Sequence, residues 1–145
     1  MWGQLLLFVV VGLSAPLIPR YLTVATPGPV YMRRWGAVVL LLGAALAVWG
    51  VRALGRSLTP GTEPLAGAPL VTAGPYAQVR HPIYLGIVFL CTGYTLLWSN
   101  WIVALGVGVA VLLYFEGKAR AEERWLVRRY PEYEDYMQQV RRRVL

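Results

Sequence analysis

With 145 residues, 57% of them hydrophobic and only 14% charged, the chain carries more apolar surface than a soluble domain of this size buries, so a bilayer is its expected solvent. A single cysteine, Cys91, and a single histidine, His81, exclude a disulfide framework and a multi-histidine metal site. The formal charge of +7 comes from basic residues gathered at the ends of apolar runs, which points to lipid headgroups and away from nucleic acid.

Four apolar runs reach or approach the roughly 20 residues that a helix needs to cross hydrocarbon. The first, residues 2–18, has no charge and no cleavage pattern, and reads as a retained span rather than a signal peptide. The second, 35–54, contains Gly36, Gly43, Ala44, Ala45, Ala47 and Gly50, small residues that let helix backbones approach or support self-association. A loop rich in proline and glycine follows over 55–80, and a connection that long without helical periodicity is functional or disordered. The third run, 82–98, and the fourth, 101–117, are separated only by Ser99 and Asn100. This predicts a tight hairpin with Trp98 and Trp101 at interface depth. Gly93, Gly106 and Gly108 are expected to serve helix packing. Beyond the fourth run the helix is expected to continue to about Arg129, Pro131 to break it, and a last short helix to cover 132–143.

The 35 residues between Arg80 and Glu116 carry no charge, as one down-and-up hairpin requires. Such a hairpin returns Arg80 and His81 to the membrane face that holds Glu116, Lys118, Glu122 and Glu123. With both termini cytoplasmic, eleven of the fourteen Lys and Arg lie inside and only Arg20, Arg33 and Arg34 outside. The expected fold is therefore an all-α integral membrane protein of about four transmembrane helices. It is multi-pass, with a cytoplasmic C-terminal helical extension. Arg141 to Arg143 are expected at anionic headgroups.

Pro82 suits the first position of a helix and biases His81 out of it. The N–H groups of Ile83, Tyr84 and Leu85 are then expected to lack helical partners and to form an electropositive socket for a carboxylate or phosphate. On the fourth helix, Glu116 and Glu123 are seven apart and share a face, as Lys118 and Glu122, four apart, share another. A solvated face with Lys118–Glu122 and Glu116–Arg120 pairs accounts for this pattern. The hairpin adds a second reading, in which an acid takes the ammonium or ribose of a zwitterionic cofactor while the socket takes its carboxylate.

Leu70-Val71-Thr72-Ala73-Gly74-Pro75-Tyr76, then Arg80-His81-Pro82-Ile83-Tyr84-Leu85-Gly86, the paired acids Glu122-Glu123 and the tail Tyr130-Pro131-Glu132-Tyr133 with Tyr136 together resemble the isoprenylcysteine carboxyl methyltransferases and related small integral-membrane methyltransferases, phospholipid methyltransferases among them. The resemblance implies a single membrane methyltransferase domain over 1–145. Its parts are two N-terminal spans (1–54), a cofactor loop (55–80), a helical hairpin (81–117) and a helical tail (118–145). It implies S-adenosylmethionine as cofactor. Leu70, Val71 and Tyr76 would line it from the loop, Arg80, His81 and Tyr84 would meet it at the helix start, and Glu122 and Glu123 would supply the acidic contact. Lys118 stands where prenylcysteine-specific members carry an arginine for the substrate carboxylate, and Pro69 where a histidine is frequent. Lys118 would orient a carboxylate acceptor. Glu116, with Glu123 or Tyr84 as alternatives, would serve as base for a thiol, phenol or amine. The implied partners are a lipophilic small-molecule or lipid acceptor and membrane lipids, with no metal. Phospholipid N-methylation and a non-enzymatic membrane scaffold are the alternatives.

Overall fold

The computed structural model describes residues 9–12, 30–55, 69–98 and 101–145, and all regular structure among them is helical. Four α-helices follow in order: α1 (Val30–Leu54), α2 (Pro82–Trp98), α3 (Trp101–Arg129) and α4 (Tyr133–Gln139). One 3-10 turn, Gly74–Ala77, precedes α2. Only 9–12 of the first predicted span is described, and it is helical; the loop over 56–68 and the Ser99–Asn100 turn lie outside the described residues.

The boundaries of α2 and α3 are those expected, whereas α1 starts five residues before 35. Arg33 and Arg34 end the apolar run there but not the helix, because a charge changes hydropathy without disturbing backbone hydrogen bonds. The last helix is shorter than the predicted 132–143. Past Gln139 the backbone carbonyls of Val140, Arg141, Arg142 and Arg143 turn to partners near Arg80 and His81 instead of bonding within a helix.

The chain divides into two compact units, Met1–Ala44 with Gly86–Val111, and Ala45–Leu85 with Leu112–Leu145. In the first, α1 and α2 meet backbone to backbone. A β-carbon at Gly43 would lie 2.7 Å from the Gly86 carbonyl oxygen, and one at Gly93 would lie 2.5 Å from the Leu40 nitrogen. Only glycine permits this approach, and the seven-residue spacing of Gly36 and Gly43 against Gly86 and Gly93 keeps one seam in register over two turns. Gly108 lies against the Thr92 hydroxyl, which in turn donates to the Val88 carbonyl at 2.8 Å. Gly106, expected to pack, faces open space. Val38, Leu41 and Leu42 of α1 and the row Trp101, Leu105 and Val109 of α3 point outward. Apolar stripes of this extent have hydrocarbon as their natural surroundings. By length and composition α1 and α3 suffice to cross a membrane, and α2, with 17 residues, is at the short limit.

The second unit is built around Tyr130, Tyr133, Tyr136 and Val140, against which Leu70, Leu126, Val127 and Met137 pack. The Tyr136 hydroxyl donates to the Tyr76 carbonyl at 2.6 Å, fastening the 3-10 turn to α4. That turn opens at Gly74, whose φ of +65° lies in the left-handed region where glycine alone is unstrained.

Candidate functional site

The site lies wholly within the second unit, where the start of α2, the polar continuation of α3 and the segment after α4 converge. Pro82 leaves His81 just outside α2, and the His81 carbonyl accepts the N–H groups of both Tyr84 (3.1 Å) and Leu85 (3.2 Å). Two of the three donors expected in the anion socket are therefore already used, because the residue preceding the helix folds its own oxygen over them. The open socket is corrected accordingly.

Glu123 is the centre of the polar network. Its Oε1 accepts from Arg80 Nε at 2.7 Å and faces His81 Nε2 at 3.3 Å, while its Oε2 accepts from Arg143 Nε at 2.7 Å. Glu123 is 5% exposed and Arg80 7%. Burial alone would raise the Glu123 carboxyl. Hydrogen bonds from His81, Arg80 and Arg143 outweigh it and hold the group down to about 2. Against an ionised carboxylate, the His81 nitrogen facing Glu123 is the one that carries hydrogen.

Arg80 also ties down the chain after α4. Its Nη1 donates to the carbonyls of Val140 (2.7 Å) and Arg141 (3.1 Å), and its backbone N–H to that of Arg142 at 3.0 Å. The His81 N–H donates to the Arg143 carbonyl at 2.9 Å. Arg143 extends the network to Glu116, its Nη1 lying 3.2 Å from Glu116 Oε2, which also pairs with Arg120 at 3.7 Å. Arg143 is thus an ion-pair partner and not the headgroup contact expected of it. The flanking Val140 and Val144, both buried, were the sequence signal that this segment turns inward.

The neighbouring acid does something different. One residue further along a helix turns the side chain by about 100°, so Glu122 leaves the network and accepts from the Tyr84 hydroxyl at 2.6 Å. The Tyr84 ring stacks on His81 with a centroid separation of 5.2 Å and an interplanar angle of 2°, and it lies 4.7 Å from the Phe115 ring. Lys118 Nζ sits over both rings, 5.1 Å from the Tyr84 centroid and 5.9 Å from that of Phe115. Lys118, Tyr84, Glu122 and His81 are therefore brought together as a cation, an aromatic platform that it covers, and an acid, opposite charges that suit a zwitterionic ligand.

Glu116 is not brought to Lys118. Two residues apart on α3 they project to nearly opposite faces, and Glu116 is held by Arg143. Arg80 and Glu123 are likewise committed to protein partners. Of the loop residues, Leu70 packs on the tyrosine cluster, Val71 is half-buried, and buried Tyr76 lends its carbonyl to Tyr136. Tyr133 carries no sequence-assigned role, yet its hydroxyl is buried with no hydrogen-bond partner among the described residues. Burial and the adjacent Glu123 raise that phenol, so it remains a neutral donor. No group of three or more metal-ligating side chains occurs among the described residues.

Residues 32–133 match the sequence profile of the phospholipid methyltransferase family. Among curated proteins, the protein-S-isoprenylcysteine O-methyltransferase of Schizosaccharomyces pombe is 35% identical over 72 residues, covering 49% of this chain and 30% of its own. The nickel-cobalt-cadmium resistance protein NccN of Alcaligenes xylosoxydans xylosoxydans is 33% identical over 67 residues, 46% of this chain and 32% of its own. The matched segments thus span about a third of the length of these relatives. The solved eukaryotic intramembrane Ras methyltransferase ICMT shares the fold, with a TM-score of 0.71 and 24% identity over 94% of this chain and 48% of that one.

Proposed function

This chain belongs to the phospholipid methyltransferase family, and from that premise we propose that it moves a methyl group from S-adenosylmethionine to a lipophilic acceptor at a membrane surface. The observation that carries the reading is the Tyr84–Glu122 hydrogen bond of 2.6 Å, which joins the Arg-His-Pro-x-Tyr start of α2 to the paired acids 38 residues away. The cofactor supplies a methyl on a cationic sulfur, electrophilic enough to need little acid assistance. The residues present fit such a ligand. Glu122 has a second oxygen beyond the one that Tyr84 uses, and the orphaned Tyr133 hydroxyl is a buried polar group in want of a partner.

In this reading His81, Tyr84 and Glu122 hold the cofactor, with Leu70, Val71 and Tyr76 shaping the loop side. Arg80 and Glu123 act as positioning residues by locking that loop to the segment after α4. Lys118 orients an anionic acceptor, for which no base is needed. An amine, thiol or phenol acceptor must lose a proton, and Glu116, held by Arg143, is directed away from that task. The remaining contribution is orientation and exclusion of water. The family profile favours a second reading, transfer to the amine of a phospholipid. Either acceptor approaches laterally through the bilayer if the chain is multi-pass, with four spans and cytoplasmic termini.

Calorimetric titration of the detergent-solubilised chain with S-adenosylhomocysteine tests the reading. Binding is expected, with loss in His81→Ala and Glu122→Ala. Lys118→Ala should keep cofactor binding and lose turnover on the accepted substrate. No heat and no thermal shift with either form of the cofactor would overturn the enzyme reading in favour of a scaffold.

A further inference from the structure

Residues 140–143 follow α4 without helix or strand, yet four successive backbone carbonyls there are all taken by the start of α2. Val140 and Arg141 accept from the Arg80 guanidinium, Arg142 from the Arg80 N–H and Arg143 from the His81 N–H. Val140 and Val144 are buried, while Arg141 and Arg142 are exposed. A short stretch outside the helices, anchored by hydrogen bonds and two valines, opens more readily than the helices it joins.

Arg143 acts twice on the same histidine. His81 is held at three points: its N–H by the Arg143 carbonyl at 2.9 Å, its ring by the parallel Tyr84 ring, and its Nε2 by Glu123 Oε1 at 3.3 Å. The other Glu123 oxygen takes Arg143 Nε at 2.7 Å, so two of the three holds run through Arg143. Tyr84, stacked on that histidine, in turn places Glu122. Detaching residues 140–143 frees the His81 N–H, removes the carbonyl partners of Arg80 and takes one charged donor from Glu123. We propose that this stretch is a latch on the site, with Arg143 as a positioning residue. Docked, it holds His81 and Glu123, and through His81 the Tyr84–Glu122 pair, in the geometry that binds; an occupied site holds the latch docked. Arg143 works through His81 and Glu123 and not on the ligand itself. The coupling is reciprocal, since whatever docking adds to ligand affinity the ligand adds to docking. The proposal rests on the reading of His81, Tyr84 and Glu122 as the cofactor site.

Limited trypsin digestion of the full chain in neutral detergent tests it, because cleavage after Arg141 or Arg142 requires their carbonyls to leave Arg80. The rate of that cleavage, followed by intact mass, tracks the population with the latch detached. S-adenosylhomocysteine at about ten times its calorimetric dissociation constant should slow it about tenfold. Arg143→Ala should speed it about tenfold in the absence of ligand, with helical content unchanged, and Arg143→Lys, which keeps a charged donor for Glu123, only about two- to threefold. A chain ending at Gln139 should keep its helices and lose S-adenosylhomocysteine binding. A parent that binds S-adenosylhomocysteine yet is cut equally fast with and without it would overturn the proposal. So would full affinity in the shortened chain, or an Arg143→Ala variant cut no faster than the parent. No calorimetric binding in the parent is the separate signature of a failed cofactor reading, and takes the latch with it.

Discussion

Replacing Glu123 by glutamine tests the network at its centre. The amide keeps the shape of the side chain but loses the charge that faces Arg80, His81 and Arg143 at 2.7, 3.3 and 2.7 Å. Arg80 then remains buried with only carbonyl partners, and removing one member of a buried ion pair costs about 3–5 kcal/mol. A second route gives a similar figure. Holding the carboxyl at about 2 rather than its ordinary 4.5 corresponds to roughly 3 kcal/mol of stabilisation at neutral pH. For a chain of this length that is a fall in melting temperature of roughly 10 °C, measured in detergent by far-ultraviolet circular dichroism. The sign of the pH dependence is fixed as well. A carboxyl whose native value is depressed contributes fully above its unfolded value, and the contribution drains away as pH falls from about 4.5 toward 2. The parent should therefore lose stability over that interval, and Glu123→Gln should lose markedly less. A variant melting within 2 °C of the parent at pH 7, or losing stability just as steeply in acid, would refute the claim that Glu123 is the ionised hub.

Three further outcomes follow from other contacts. Gly93→Ala places a β-carbon 2.5 Å from the Leu40 nitrogen, so α1 and α2 must separate, at about 1–3 kcal/mol in thermal unfolding. Tyr84→Phe removes the 2.6 Å bond to Glu122 and should weaken S-adenosylhomocysteine binding about tenfold or more by calorimetry while the helical content is preserved. Tyr133→Phe deletes a hydroxyl that has no partner among the described residues, so ligand-free stability should hold or rise slightly, while cofactor affinity falls. Equal affinity in that variant would remove Tyr133 from the site.

The helix ends were legible where chemistry marks them sharply. Pro82 starts α2, Trp98 ends it, Trp101 starts α3, and Pro131 lies between α3 and α4, so these boundaries followed from residue type. The meeting of Arg80 and His81 with Glu123 was legible too, from a run of 35 uncharged residues expected to leave and return as one hairpin. The division of labour between Glu122 and Glu123 was hidden, because adjacent letters carry no face. The roles of Arg80, Arg143 and Tyr136 were hidden for another reason. Each depends on a pairing across 20 to 60 residues, and long-range partners are chosen by tertiary packing that local pattern does not encode. Glu116 was read on the helix face it shares with Glu123, and its pairing with Arg143, 27 residues on, was hidden for the same reason.

The carbonyls of Arg142 and Arg143 accept the consecutive amide protons of Arg80 and His81 across more than 60 positions. Those two protons can exchange with solvent only when the terminal segment lifts away. Closing a loop of that length comes late in folding, after the neighbouring helices have formed. Amide exchange at Arg80 and His81 thus acts as a clock for the docking of residues 140–143. It reads how often the finished site reopens, separately from whether the helices themselves are intact.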